Sequence, residues 1–152
     1  MVKELKVKPI ENGTVIDHIP AGMALKVIAI LSSGRHMGKP MSIMMNVESS
    51  GRKRKDIVKM EQLELKKREV DKIALIAPDA TINIIRDHEV VEKRKVKAPK
   101  RVVGIVKCNN PNCVSNQKEP IPPEFDVIST KPLCIRCSYC ERDMEDITEN
   151  LL

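Results

Sequence analysis

Aromatic residues are nearly absent from this chain of 152 residues. It has no tryptophan, and Phe125 and Tyr139 are its single phenylalanine and its single tyrosine. A core in the first hundred residues is therefore expected to consist of Ile, Val, Leu, Met and Ala. No apolar run approaches the roughly 18 residues that a membrane span needs, so we expect a soluble protein.

Features of secreted proteins and of common enzyme classes are also missing. No apolar signal-peptide segment follows the charged start at residues 1–4 (MVKE), which favours the reducing cytoplasm. No arrangement of serine, histidine and aspartate or of cysteine and histidine is evident, and Asp17 and His18 have no obvious nucleophile beside them. An enzyme is therefore the weakest of the functions considered, and no catalytic residue is predicted.

Charge is distributed unevenly along the chain. Residues 1–98 carry 20 Lys and Arg against 13 Asp and Glu, which is a net charge of +7. Residues 99–152 carry 7 against 8, which is a net charge of −1. The basic excess of the first part favours an anionic ligand there. The alternative is an ordinary solvated surface.

Four cysteines near the C-terminus are the most informative residues that the chain does contain. Cys108 and Cys113 enclose the turn-forming sequence NNPN, and Cys137 and Cys140 enclose SY. Each pair is a short sulfur knuckle, and two knuckles brought together supply the four thiolates of a tetrahedral zinc site. Because four thiolates leave no position for an activated water, we expect one structural zinc ion and no catalytic metal.

Two alternatives remain for these cysteines. A disulfide framework is disfavoured, since five cysteines are an odd number and the chain is expected in a reducing compartment. The fifth cysteine, Cys134, forms a second C-x₂-C unit with Cys137. In an extended strand Cys134 lies on the face opposite Cys137, so we prefer Cys137 and Cys140 as the second knuckle and keep the pair of Cys134 and Cys137 open.

Hydrophobic periodicity divides the chain into two parts. Strands are predicted at residues 7–19, 41–47, 55–61, 80–86 and 89–91, and helices at 21–31 and 64–77. The order β-α-β-β-α-β indicates an α+β fold, with a ferredoxin-like antiparallel sheet and two helices on one face. Residues 93–100 (KRKVKAPK) are predicted to be a linker, with domains at 1–98 and 99–152. The second domain is expected to be a small β domain that needs its zinc to fold.

Four stretches and the two knuckles carry a family resemblance. The stretches are residues 13–21 (GTVIDHIPA), 54–59 (RKDIVK), 77–83 (APDATIN) and 89–93 (EVVEK). Followed by C-x₄-C and C-x₂-C, they resemble the regulatory chain of aspartate carbamoyltransferase over about residues 7–140. The resemblance implies a chain without activity of its own, whose ferredoxin-like allosteric domain binds nucleoside triphosphates such as CTP, ATP and UTP. It also implies a zinc domain that docks onto the catalytic chains, which begin pyrimidine synthesis.

A nucleotide site is the first expectation that follows. Lys55, Ile57 and Lys59 lie on one face of a predicted strand, where two ammonium groups about 13 Å apart could hold a ribose and a polyphosphate. Lysines that protect a sheet edge are the alternative. With the resemblance, the expected nucleotide-binding residues are Val7, Ile10, Asp17, His18, Lys55, Lys59, Asn83, His88, Val90 and Lys93. Lys59 is then expected near the ribose and Lys93 near the phosphates.

Partner contacts are the second expectation. The resemblance implies catalytic trimers bridged by regulatory homodimers, which pair through their N-terminal sheets. We expect Asn110, Asn112, Glu141 and Arg142 to contact the catalytic chain, with capping of the knuckle backbone as their alternative role.

Two residues depart from the family pattern, because Lys8 replaces an acidic residue and His88 stands where some relatives have tyrosine. Both positions are near the expected pocket for the base and the sugar, so they bear on the preference between purine and pyrimidine nucleotides.

A zinc-ribbon protein that binds nucleic acid is the alternative function, because the sequence pI is about 9.1. Three features count against it. The zinc part is net acidic, the basic part has no aromatic residue on which bases could stack, and no helix carries a dense row of Arg, Lys, Asn and Gln. We therefore expect no nucleic-acid partner.

Overall fold

The computed structural model describes residues 10–31, 38–51, 53–118 and 121–152. Its strands and α-helices are β1 (Gly13–Pro20), α1 (Ala24–Leu31), β2 (Met41–Glu48), β3 (Arg54–Glu61), α2 (Lys67–Ile76), β4 (Thr81–Arg86), β5 (Glu89–Lys95), β6 (Arg101–Val103), β7 (Glu124–Thr130), β8 (Leu133–Cys137) and β9 (Asp143–Met144). Short 3₁₀ helices occur at Val114–Asn116 and Thr148–Asn150. Among the residues that the structure describes, no helix is long and apolar enough to cross a membrane.

The strands form two antiparallel sheets. The first has the order β2-β3-β1-β4-β5, so β3 lies between β1 and β2, and β1 lies between β3 and β4. This is the split arrangement of the ferredoxin-like unit, with β5 added at one edge. The second sheet has the order β6-β7-β8-β9 and carries Cys137 at the end of β8, with Cys140 in the turn that follows. The predicted α+β class, with two helices and a small zinc domain, is therefore confirmed.

Some predicted element bounds were wrong. Strand β5 continues to Lys95, into the predicted linker, and pairs Lys93 with Asn83 and Lys95 with Thr81. It is an edge strand with every residue exposed, so no apolar alternation marks it in the sequence. Both helices are shorter than predicted. The predicted strand at residues 7–19 begins outside the described residues. Val7 and Lys8 also lie outside them.

Strand β3 separates a buried face from an open one. Asp56, Val58 and Met60 are fully buried, whereas Lys55, Ile57 and Lys59 are half-exposed. Helix α1 packs against β3 and β2, and its buried residues are Ala24, Val27, Ile30 and Leu31. Burying Val27, Ile30 and Leu31 contributes roughly 1.5–3 kcal/mol each, so aliphatic side chains stabilise this core without aromatic residues.

The chain forms two compact units. The first comprises the chain up to Lys66 together with Asp79–Lys95, and the second comprises Lys67–Pro78 and Val96–Leu152. Helix α2 thus belongs to the second unit, where Arg68 Nη2 donates a hydrogen bond of 2.6 Å to the carbonyl oxygen of Gly104 and Lys72 Nζ donates to that of Leu152. The predicted domain division between residues 98 and 99 stays a prediction.

The second sheet encloses a small core of its own. Its fully buried side chains include Phe125 on β7, Ile135 on β8 and Met144 on β9. Cys137 pairs across the sheet with Phe125, so one metal-ligand candidate is embedded in this core. A unit with so few buried side chains is the kind that a structural metal stabilises.

Candidate metal centre and basic cleft

The four predicted zinc ligands lie together in the second unit. The sulfur atoms of Cys108, Cys113, Cys137 and Cys140 all lie within 4.8 Å of one another. Two Sγ–Sγ distances are 3.7 Å, for Cys108 and Cys140, and 3.6 Å, for Cys113 and Cys137. Sulfur atoms at the corners of a tetrahedron with bonds of about 2.3 Å are about 3.8 Å apart. The cluster therefore has the size that zinc requires, and the four cysteines are positioned to bind one zinc ion.

The same distances argue against disulfides. A disulfide joins two sulfur atoms at about 2.05 Å, and all five cysteines are free thiols. Cys134 is half-buried and is not a member of the cluster. Burial, followed by the charges of Asp143 and Glu145, raises the pKa of the Cys134 thiol, so this side chain stays protonated at neutral pH.

Two cysteines of the cluster differ in acidity. Burial raises the pKa of Cys108 to about 12. Burial also acts to raise the pKa of Cys140, but hydrogen bonds from the backbone N–H of Arg142 and from the side chain of Asn110 outweigh it and bring this pKa to about 7. A metal ion binds thiolates, so loading the cluster must release protons.

The predicted partner-binding residues occupy the two knuckle loops. Asn112, Glu141 and Arg142 are exposed. Asn110 is only 7% exposed, and its Oδ1 accepts a hydrogen bond of 3.1 Å from the backbone N–H of Asn112. Glu141 has a positive φ of 62°, as expected at a tight turn after the second knuckle. The role of these four residues in partner binding stays a prediction.

The open face of the first sheet brings predicted nucleotide-binding residues into one row. Val15 pairs with Lys59 on one side and with Asn83 on the other, and Asn83 pairs with Lys93. At about 4.8 Å between neighbouring strands, the backbones of Lys59 and Lys93 are about 14 Å apart. Strand register therefore places an amide group between two lysines, although these residues are far apart in the sequence.

A second group lies two residues further along β1. Asp17 Oδ1 is 2.9 Å from Lys55 Nζ, and it also accepts a hydrogen bond of 2.6 Å from the backbone N–H of His18. His18 Nδ1 lies 2.5 Å from Thr81 Oγ1. The backbone of His18 has a positive φ of 59° at a register shift between Ile16 and Ile19. Such strain is stored preferentially at functional sites.

An open cleft of about 520 Å³ begins at this group. Its lining residues are His18, Ile19, Pro20, Ser49, Lys53, Arg54, Lys55, Asp79, Thr81 and Lys95. All belong to the first unit. Among the lining residues that the structure describes, four cationic side chains and the carboxylate of Asp79 give a net positive charge, so the cleft is suited to a polyanion.

Within the described part of the chain, the cleft and the predicted nucleotide-binding set share His18 and Lys55. Lys59, Asn83 and Lys93 lie on the neighbouring row. His88 lies in the turn between β4 and β5, and Val90 lies near the start of β5. Ile10 is buried, and Val7 lies outside the described residues. Sequence reasoning missed Lys53, Arg54 and Lys95. The charge run at residues 52–55 was the available signal for the first two.

Comparisons with known proteins agree with this geometry. Residues 5–97 match the family described as "Aspartate carbamoyltransferase regulatory chain, allosteric domain", and residues 100–148 match its "metal binding domain". A chain of Methanothrix thermoacetophila named as an aspartate carbamoyltransferase regulatory chain is 53% identical over 151 residues, covering 99% of this chain and 98% of its own length. A chain of the same name from Thermococcus gammatolerans is 57% identical over 142 residues, covering 93% of each chain. Another from Pyrococcus furiosus is 56% identical over 144 residues, covering 94% of each chain.

The fold, the sulfur cluster and the family matches thus define a regulatory chain with an allosteric domain and a metal-binding domain. The chain belongs to the family of aspartate carbamoyltransferase regulatory chains.

Proposed function

We propose that this chain is the regulatory subunit of an aspartate carbamoyltransferase, and that it binds nucleoside triphosphates to control catalytic chains in de novo pyrimidine biosynthesis. CTP, ATP and UTP are the proposed effectors. The basic cleft of the first unit carries this proposal, because it offers four cationic side chains beside the strained His18 in the family's allosteric domain. Charge-assisted contacts to phosphate are among the stronger polar contacts in proteins.

The two groups on the sheet suggest how an effector lies. We assign the nucleoside end to Lys59 and Asn83, with Val7, Ile10, His88 and Val90 near the base, and we assign Lys93 to the phosphates. The phosphates extend towards the cleft, where Lys55 and Lys95 lie. Lys93 and Lys95 are two residues apart on one face of β5, which is about 7 Å at the strand rise, so both can serve one polyphosphate chain.

The second unit is proposed to bind the catalytic chain. Zinc, when bound to the four cysteines, supplies folding free energy to this small unit and so keeps the knuckle loops in shape. Asn110, Asn112, Glu141 and Arg142 are the proposed contacts, and the first sheet is the proposed site of homodimer formation. All five cysteines are free thiols, which suits a reducing compartment, and we assign the protein to the cytoplasm.

Regulation requires differential binding. An effector shifts an equilibrium between two states only if it binds one state more tightly than the other. A regulatory chain of this kind therefore acts by making different contacts with the catalytic chain in the two states.

Calorimetry of the zinc-loaded chain with CTP and with ATP tests the proposal. We expect measurable binding heats and a raised melting temperature at millimolar nucleotide. Absence of both effects would refute effector binding and leave only an adaptor role. A salt titration with duplex and single-stranded DNA tests the alternative, since a nucleic-acid protein shows a steep decrease of affinity with salt.

A further inference from the structure

The 3₁₀ helix that follows the first knuckle contains two polar side chains that reach back to it. The amide Nδ2 of Asn116 donates a hydrogen bond of 2.8 Å to the carbonyl oxygen of Cys108 and one of 2.7 Å to that of Asn110. Both protons of the amide are thus used on the same loop. The side chain of Asn116, three residues after Cys113, therefore ties the backbone of the first half of the knuckle to the 3₁₀ helix.

Ser115 makes a second connection to the same knuckle. Its Oγ lies 3.1 Å from Cys113 Sγ. When the sulfur is a thiolate, the hydroxyl is the donor, because a thiolate has no proton to give. One side chain therefore holds the backbone at Cys108, and its neighbour in sequence holds the sulfur atom of Cys113.

The length of the first knuckle explains why such support is needed. Four residues separate Cys108 and Cys113, whereas two separate Cys137 and Cys140. A longer loop has more conformations to lose when its two ends are fixed. The backbone N–H of Cys113 bonds to the carbonyl oxygen of Asn110 at 3.0 Å, and Asn116 shares that same acceptor.

We propose that Ser115 and Asn116 are positioning residues of the metal site, which hold the first knuckle in the geometry that binds zinc. Hydrogen bonds around metal ligands orient the ligands, and their loss typically reduces metal affinity by about 10- to 100-fold. The proposal concerns the metal site alone and does not depend on nucleotide binding. A residue needed only for folding would leave the metal's release rate unchanged in the folded, loaded protein.

The test uses the full chain loaded with zinc or with cobalt. Asn116→Asp keeps the shape of the side chain but removes both donors, and Ser115→Ala removes the hydroxyl that Ser115→Thr retains. Gln117→Ala is the matched control, because Gln117 Nε2 also donates to carbonyl oxygens of the knuckle, those of Pro111 and Cys113, but over the longer distance of 3.4 Å in both cases. Zinc release to a chromogenic chelator gives the rate, and the thiolate-to-cobalt absorption bands report the geometry.

We expect Asn116→Asp to release zinc about 10 times faster than the wild type and to shift the cobalt bands, with an unchanged circular dichroism spectrum in the loaded form. Ser115→Ala should also release zinc faster, and Ser115→Thr should return towards the wild-type rate. Wild-type release from Asn116→Asp and Ser115→Ala would overturn the proposal. So would a Gln117→Ala variant that releases zinc as fast as Asn116→Asp. If Asn116→Asp does not fold, the Ser115 pair decides, since equal rates for its Ala and Thr variants contradict the proposal.

Discussion

The carboxylate of Asp56 on β3 accepts a hydrogen bond of 2.9 Å from the backbone N–H of Ala24, the first residue of α1. The same Oδ2 atom accepts one of 2.9 Å from Gly22, and Oδ1 accepts one of 2.7 Å from the backbone N–H of Asn46. Asp56 is fully buried. One side chain therefore satisfies N–H groups at the start of α1 and at the bulge of β2. A negative charge is most favourable at the start of a helix, where the backbone N–H groups have no partner within the helix.

Replacing this carboxylate should destabilise the first unit strongly. Asp56→Ala leaves three backbone donors without their acceptor in a buried position, and we expect a loss of about 3 kcal/mol in the free energy of unfolding. Chemical denaturation followed by far-ultraviolet circular dichroism measures it. Glu61→Ala is the control, since Glu61 lies on the same strand but on its open face. Equal stability of the two variants would contradict the capping role.

The acid dependence of stability should reveal the pair of Asp17 and Lys55. Burial acts to raise the pKa of Asp17, but hydrogen bonds from Lys55 and from the backbone of His18, with the charges of both, hold this pKa below its usual value of 3.8. The folded state then binds fewer protons than the unfolded state, so the contribution is complete above pH 3.8 and is lost as the pH falls through the lower pKa of the folded protein.

Asp17→Asn removes that contribution. We expect the stability difference between the wild type and this variant to be largest at neutral pH and to shrink below pH 3.8, as measured by denaturation at several pH values. Asp87→Asn, in the exposed turn between β4 and β5, serves as the control. A difference between the wild type and Asp17→Asn that is constant from neutral to acid pH would show that the charge of Asp17 does not stabilise the fold.

The metal cluster was predictable because its signal is local. Ligand spacing within each knuckle is a property of short sequence segments, and the structure brings the four sulfur atoms together as the spacing required. The alternation around Lys55 and Lys59 likewise predicted one open face, since side chains of a strand alternate with a period of two.

The basic cleft was not predictable in the same way. Its lining joins the end of β1, the turn before β3 and the end of β5, and only strand register brings these segments together. The sequence predicts a linker at Lys95 because an exposed edge strand has no apolar face to mark it. The role of Asp56 was missed for a related reason, since its partners are backbone N–H groups, which carry no sequence signature.

Removing positive charge from β5 should weaken triphosphates more than nucleosides. Lys93→Gln and Lys95→Gln each remove one ammonium group beside the proposed phosphate path, and we expect about tenfold weaker binding of ATP and CTP by calorimetry. Binding of adenosine and cytidine should change little. Lys97→Gln is the control, because it removes the same charge from an exposed residue after β5. An equal loss in Lys97→Gln would mean that net charge alone governs affinity.

Zinc content should separate Cys134 from the four clustered cysteines. Cys134→Ser should keep one zinc ion per chain, because this side chain lies outside the sulfur cluster. Cys140→Ser should lose the metal and unfold the second unit, since metal binding supplies folding free energy there. Elemental analysis of the purified variants checks both results. Zinc that is lost in Cys134→Ser but kept in Cys140→Ser would show that the assigned second knuckle is wrong.

Metal removal should also separate regulation from catalysis. A mercurial reagent binds thiolates and displaces zinc, so the knuckle loops with Asn112, Glu141 and Arg142 lose the support of the metal. We expect the complex with aspartate carbamoyltransferase catalytic chains to release trimers that remain active and no longer respond to nucleotides. Complexes built with Cys134→Ser are the control, because in this chain they leave the reagent only the four clustered thiols.

Gel filtration and activity assays with and without CTP measure these outcomes. The decisive comparison precedes mercurial treatment, when the zinc-loaded chain is mixed with catalytic trimers. Docking requires that the folded chain co-elutes with the trimers, because an effector can act on them only through a physical contact. Failure of the folded, zinc-loaded chain to co-elute would refute the proposed regulatory function and would favour the alternative of nucleic-acid binding, which the salt titration then tests directly.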